Sequence, residues 1–416
     1  MKQLIKSAKV IDKNSPYNGK VLDILIENGN IIMIGTNLKL ESNDIEIIDN
    51  DGQCVSPGWF DMRVNFNDPG FEYKETIDTG IEAAKIGGFT GVAVMPSTNP
   101  SIHTKSVVEY LINSSKGKTV DIHPFGALST KQEGKDLSEM YDMFTSGAVA
   151  FTDDKNAIKD SGLMLRAIMY AKNFGGLVVS FPFDEALAHN GQMNESEMSA
   201  SLGLKGIPSL SEEVIIMRDL ELAKYADARI HFTCISTAHS VELIRKAKTN
   251  GIKVTADVCI NNLVLDESYL SGFDSNYKYL PPLRSKKDIE ALKRGLKDGT
   301  IDVICSDHTP ENVEHKKCEF EHAANGSIGL ETFFGLANKY LSDTLSMEEL
   351  IDKICYNPRI LLGIPVPNIK EGIHANLTVF NPDLEWTFKE SDIRSKSRNT
   401  PFINTVLKGK AIRVIN

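Results

Sequence analysis

Polar and ionisable residues gather at the ends of short apolar runs: Arg63, Asn65, Asn67 and Asp68 after the first, Asp153 and Asp154 after the fourth, Asp307 and His308 after the eighth. Carboxylates meeting at one opening could hold a divalent cation or move protons. Taken singly, such residues are as often helix caps or solvated loop positions. Cys234, Cys259 and Cys305 lie on three consecutive late runs with His308 near, so a Cys–His nucleophilic pair is a second chemistry, weighed against plain packing of buried thiols. His231 precedes Cys234 by three, an odd offset that on a strand turns the two side chains to opposite faces. His123, on an apolar run, reads as a packed or loop-facing imidazole.

Something must bring those ends together. Eight apolar runs, at 59–66, 89–96, 120–128, 148–154, 176–182, 229–236, 253–260 and 301–307, alternate with segments of helical spacing, several closed by Gly. Eight strand–helix units over this length predict an α/β chain closed as a (β/α)8 TIM-type barrel, whose chemistry sits at the C-terminal strand ends. The two ends of the chain read differently. KVLDILIENGNIIMIG alternates around an Asn-Gly turn, IEIIDNDGQCVSPG repeats the style, and NLTVFNPD, WTF and NTVLKGKAIRVIN alternate again near the C-terminus. The expected organisation is a composite β-sandwich domain from residues 1–55 with 366–416, and a barrel over 56–365.

Composition limits the rest. Lys plus Arg number 46 against 56 Asp plus Glu, a net charge of -10, which disfavours nucleic acid as a partner. No apolar run reaches membrane-spanning length and the opening residues contain no secretory core, so the expectation is a cytoplasmic protein away from membranes. Six cysteines without paired spacing read as reduced, mostly packed thiols.

The segment SPGWFDMRVNFNDPGFEYKETIDTG (56–80) is similar to the dihydroorotase signature of the amidohydrolase superfamily, in which PGxxDxHxHxREPG precedes EYKETxxTG. The resemblance continues through MPSTNP, AFTDDKNAIKDSGLMLRA, NESEMSASLGLKGIPSLSEE, PPLRSKKDIEALKRGLKDGTIDVICSDHTP, NGSIGLET and NTVLKGKAIRVIN, so it spans essentially the whole chain. It implies a barrel of the metal-dependent hydrolase type, and a zinc-assisted opening or closing of the cyclic amide of dihydroorotate in pyrimidine biosynthesis. The same resemblance implies that the family's metal-ligand positions are occupied here by Arg63, Asn65, Asp153, Phe181, Cys234 and Asp307, with all four expected imidazoles replaced. A metal lowers the pKa of bound water from about 15.7 to about 7, roughly 12 kcal/mol of nucleophile activation, and no remaining side chain supplies that. Arg63 is permanently charged; it would repel a dication but could neutralise Asp153 or Asp307. Its expected role is an internal ion pair standing in for metal. The substrate-gripping positions match Asn67, Ser97 and Glu311, shortened or altered in charge, and Ile260, Asn261 and Asn262 follow the seventh strand.

The resulting reading is a dihydroorotase homologue without cofactor or turnover, with Asp307 a vestige of the general base. Its expected role is a structural or regulatory partner, a homo-oligomer or an associate of aspartate carbamoyltransferase or an active dihydroorotase. The alternative is an active dihydroorotase, or another cyclic-amide hydrolase, with an unorthodox metal site.

Overall fold

The computed structural model describes residues 2–38, 45–49 and 52–416. The chain starts with β1 (Lys2–Val10), β2 (Val21–Glu27), β3 (Asn30–Gly35), β4 (Ile45–Ile48) and β5 (Cys54–Pro57). Asn28 and Gly29, at φ 51° and 78°, supply the two left-handed residues that the tight turn between β2 and β3 needs. Within the IEIIDNDGQCVSPG stretch, Asn50 and Asp51 lie outside the described residues.

Eight short parallel strands come next: β6 (Trp59–Val64), β7 (Phe89–Val94), β8 (Asp121–Gly126), β9 (Ala150–Phe151) and β10 (Val178–Ser180), then, after a small ribbon of β11 (Met193–Asn194) and β12 (Gly206–Ile207), β13 (Ile230–Phe232), β14 (Val254–Cys259) and β15 (Val303–Cys305). They hydrogen-bond in the order of the chain. A parallel bridge between Val64 and His308, with the Asn65 amide donating to the His308 carbonyl at 2.9 Å, brings the last strand back to the first. All eight runs expected from the sequence are barrel strands. Phe60, Met62, Ala93, Met95, Phe125, Val179 and Val303 fill the interior, so the barrel is a packed core open to chemistry only at its rim.

Finally β16 (Leu377–Thr387) and β17 (Val406–Ile415) return to the N-terminal strands. The expected sandwich is built as one continuous seven-stranded sheet, because β5 pairs with both β1 and β16. Trp59, fully buried, packs at a tilt against Phe334 of helix Phe333–Leu341 at 4.5 Å and Phe380 of β16 at 5.3 Å, and the latter contact ties the barrel floor to that sheet. Against the same indole lies Gly88, which ends helix Ile77–Gly87 at φ 96°; a Cβ there would strike the ring. Between β16 and β17 the chain crosses back over the barrel: Ser395 and Lys396 bond Glu75, and Asn399 bonds the Thr309 and Gly326 carbonyls. The terminal unit thereby braces the loops of the barrel mouth. Among the described residues no helix is long and apolar enough to cross a membrane.

Candidate functional site

Four residues on the barrel rim hold left-handed backbone without being glycine: Asn67, Asp154, Cys234 and Asp307, at φ 60°, 56°, 58° and 49°. Each such residue costs on the order of 1 kcal/mol. At these four strand ends the turn re-aims the side chain relative to the strand it follows.

Arg63, only 1% exposed, crosses the opening from β6. Its Nε donates to Asp307 Oδ1 at 2.9 Å, Nη2 bonds Asp154 Oδ1, and Nη1 lies 3.4 Å from the Met95 sulfur. The Lys155 ammonium takes the second Asp307 oxygen at 2.9 Å, and Ser97 Oγ donates to the second Asp154 oxygen at 2.7 Å. Two cations and two carboxylates thus balance, with each acid held on both oxygens. Burial opposes the guanidinium charge, but Cys234, Asp154 and Asp307 outweigh it and hold Arg63 firmly protonated.

Asp153 does not take part. It turns to the neighbouring strand end, where its Oδ1 accepts the Leu128 and Ser129 amides at 2.8 and 2.9 Å and Oδ2 accepts the Ser129 hydroxyl; burial lifts its carboxyl to about 6. The expectation that Arg63 could pair with Asp153 is therefore corrected to Asp154. Adjacent residues on an extended chain point apart, and the left-handed turn at Asp154 directs the second of them into the mouth. Beneath the pair, burial raises the Asp61 carboxyl to about 7, although it accepts the Ser306 and Arg63 amides.

The opposite side of the rim is sulfur and ring. Cys234, Cys259 and Cys305, all 2% exposed or less, place their three Sγ atoms within 4.8 Å of one another, with Cys259 and Cys305 3.9 Å apart. Phe181, Phe183 and Leu280 pack on them, and the Arg63 guanidinium lies 5.9 Å from the Phe181 ring centre. Burial raises the Cys234 thiol, but hydrogen bonds from Cys259 and Cys305 and the charge of Arg63 bring it down to about 6.

Asp257, which sequence reasoning passed over, organises this side. Its Oδ1 accepts the Cys234 amide at 2.7 Å and lies 3.4 Å from Cys305 Sγ, while Oδ2 meets His231 Nε2 at 2.9 Å. His231, through its ring, and Cys234, through its backbone amide, therefore meet the same carboxylate; the chain leaves strand geometry after Phe232. His308 is likewise turned from the thiols, to Glu75 at 3.3 Å and the Gly329 amide at 3.1 Å. No Cys–His pair forms there.

Of the remaining expected residues, Asn65 is buried and closes the barrel through its backbone, and Asn67 keeps a buried amide nitrogen without a partner. Glu311 does not present a bare charge, since Lys74 and His315 pair its two oxygens at 2.7 and 2.9 Å. Asn261, just past β14, is buried with neither side-chain polar atom partnered. Above the rim a cleft of about 820 Å³ opens between loops carrying Phe183, Asp184, His189, Arg218, Lys278 and Leu280.

The zinc that the sequence resemblance implies does not fit this arrangement. A zinc site needs three or four donors at about 2.0–2.3 Å, and here Asp154 and Asp307 already bond a buried guanidinium while Phe181 offers a ring.

Residues 52–240 match the family model described as Dihydro-orotase-like. A dihydroorotase of Acetivibrio thermocellus is 42% identical over 409 residues, 98% of this chain and 95% of that protein. One from Syntrophus aciditrophicus is 40% identical over 417 residues, 100% and 98% of the two chains. Among solved structures, L-hydantoinase from Arthrobacter aurescens superposes with a TM-score of 0.85 at 24% identity, covering 99% of this chain and 93% of that one. Dihydropyrimidinase from Brevibacillus agri gives 0.82 at 22% identity, covering 100% and 94%. Both share the fold.

Proposed function

The chain belongs to the dihydroorotase family, and we propose that within it this protein has given up metal-dependent hydrolysis and serves pyrimidine synthesis as a structural or regulatory partner. The observation that carries the reading is the position of Arg63. A buried, permanently charged group bonded to the acids of the rim repels a dication from the space where the family's chemistry would use one. What supports it further is the environment: on the resemblance, imidazole positions hold Arg63, Asn65, Phe181 and Cys234, and the substrate positions hold Asn67, Ser97 and Glu311. Two of these are spoken for, Ser97 by Asp154 and Glu311 by Lys74 and His315. With Lys74 and His315 engaged by Glu311, that position offers a substrate oxyanion no free donor of its own.

The second reading, an active dihydroorotase or related cyclic-amide hydrolase with an unorthodox site, is favoured by the names of the relatives and by the cleft over the rim. The partner reading is tested by mixing the purified chain with the aspartate carbamoyltransferase, and separately with a catalytic dihydroorotase, of the same organism and following sedimentation. A stable complex with one of them, or a homo-oligomer that raises the partner's activity or stability, is the expected result. A chain that sediments alone and alters neither enzyme contradicts it.

A further inference from the structure

Three thiols from the ends of three successive barrel strands converge inside a protein whose other cysteines do not meet. Cys54 and Cys355 are buried apart from them and Cys318 is exposed on the loop after β15. Buried thiols pack as small apolar groups; these three in addition place their sulfurs within 4.8 Å of one another. We propose that Cys234, Cys259 and Cys305 form a three-coordinate site for a soft monovalent cation of the cuprous type, separate from any hydrolytic metal.

Geometry selects the ion. A metal–sulfur bond of about 2.3 Å in a planar trigonal arrangement sets its sulfurs about 4.0 Å apart. Cys259 and Cys305 stand at 3.9 Å, and the whole set lies within 4.8 Å, so Cys234 closes on the pair with a small rotation. Thiolate donors suit cuprous copper, whereas zinc takes a fourth ligand in tetrahedral geometry. Phe181, Phe183 and Leu280 cover the sulfurs with carbon and leave a water or carboxylate no approach from that side. The backbone is held for the purpose as well: Asp257 fixes the Cys234 amide, and its second oxygen is braced by His231, which in turn bonds Thr255 at 2.8 Å.

Entry and charge follow. Phe183 and Leu280 are half-buried and also line the cleft above the rim, so the thiols lie one side-chain layer below open solvent. Binding is a ligand exchange without oxidation or reduction: three S–H groups release three protons, three Cu–S bonds form, and the complex carries two negative charges. Arg63 lowers the Cys234 thiol but is already paired with Asp154 and Asp307, while burial raises Cys259 and Cys305 and Asp257 lies 3.4 Å from Cys305 Sγ, so the metal itself must displace the protons of these two thiols.

The test uses the full chain, reduced and desalted without oxygen, and offers it cuprous ion from its acetonitrile complex against bicinchoninate as competitor. One copper per chain is expected to leave the chelator, and X-ray absorption is expected to show three sulfur neighbours and no nitrogen or oxygen. Cys259→Val and Cys305→Val should each weaken retention on the order of 100-fold, while Cys54→Ala with Cys318→Ser retains one equivalent. Should the valine variants fail to fold, the wild-type coordination number and that double variant decide the matter. Copper that stays with the chelator, a shell of two sulfurs, loss of binding with Cys318, or preferential uptake of zinc offered alone would overturn the assignment.

Discussion

The two halves of the barrel mouth solve the same problem in opposite ways. Where β6, β9 and β15 end, the chain buries Arg63, Asp154, Asp307 and partly exposed Lys155 as a closed set of ion pairs. Where β10, β13 and β14 end, it buries Phe181, Cys234 and Cys259, together with Cys305 of β15, as a patch of ring and sulfur without a bonded cation. Taking ions out of water is expensive and is recovered only if every partner stays in place. The charged half is therefore intolerant of single losses, and the thiol half should behave as ordinary core. The difference teaches that acids buried on a barrel rim demand a resident cation.

Breaking the charged half should have the largest effect. Arg63→Met leaves Asp154 without a cation and Asp307 with Lys155 alone, and is expected to cost about 3–5 kcal/mol in denaturant unfolding. Adding Asp154→Asn and Asp307→Asn to it should recover most of that loss. A single variant as stable as the parent would mean the ion pairs do not hold this half together.

Acid–base behaviour sharpens the contrast. Asp61 sits under the charged half with its carboxyl raised to about 7 from an ordinary 3.8. The folded state thus holds a proton that the unfolded chain has released between those values, so Asp61 favours folding fully below about pH 4 and loses that contribution as the pH rises through 7. The change amounts to a few kcal/mol, with Asp153, raised to about 6, acting in the same direction. Stability measured from pH 4 to 8 should fall less steeply in Asp61→Asn; identical slopes would refute the assignment.

The thiol half should yield the smallest effect. Cys305→Ala removes one buried sulfur from a mainly apolar cluster and is expected to cost about 1–2 kcal/mol. A loss comparable to that of Arg63→Met would show that the two halves are not energetically distinct.

The barrel was legible because its eight apolar runs, each followed by helical spacing, leave few other topologies. Arg63 beside Asp307 was also legible, since a buried guanidinium must meet an acid and few acids end a strand. Choosing Asp154 over Asp153 was not, because it depends on a left-handed residue that neither Asp nor its neighbours signal. The same limit hid the meeting of His231 and Cys234 on one carboxylate: strand periodicity assumes a strand, and β13 stops at Phe232. Asp257 had a visible signal, an acid within the apolar KVTADVCI run, and a buried acid requires donors. His308 pointed elsewhere because Glu75, 233 positions away in the chain, competes for it, a contact that no local pattern announces.

Whether the guanidinium of Arg63 excludes hydrolytic metal chemistry is tested most directly by one paired measurement: zinc content and dihydroorotate hydrolysis of the full chain, purified without chelators and assayed with zinc supplied. The account predicts no turnover and no zinc held at the Asp154 and Asp307 carboxylates. One zinc per chain at those acids, together with turnover that Arg63→Met does not change, would contradict it.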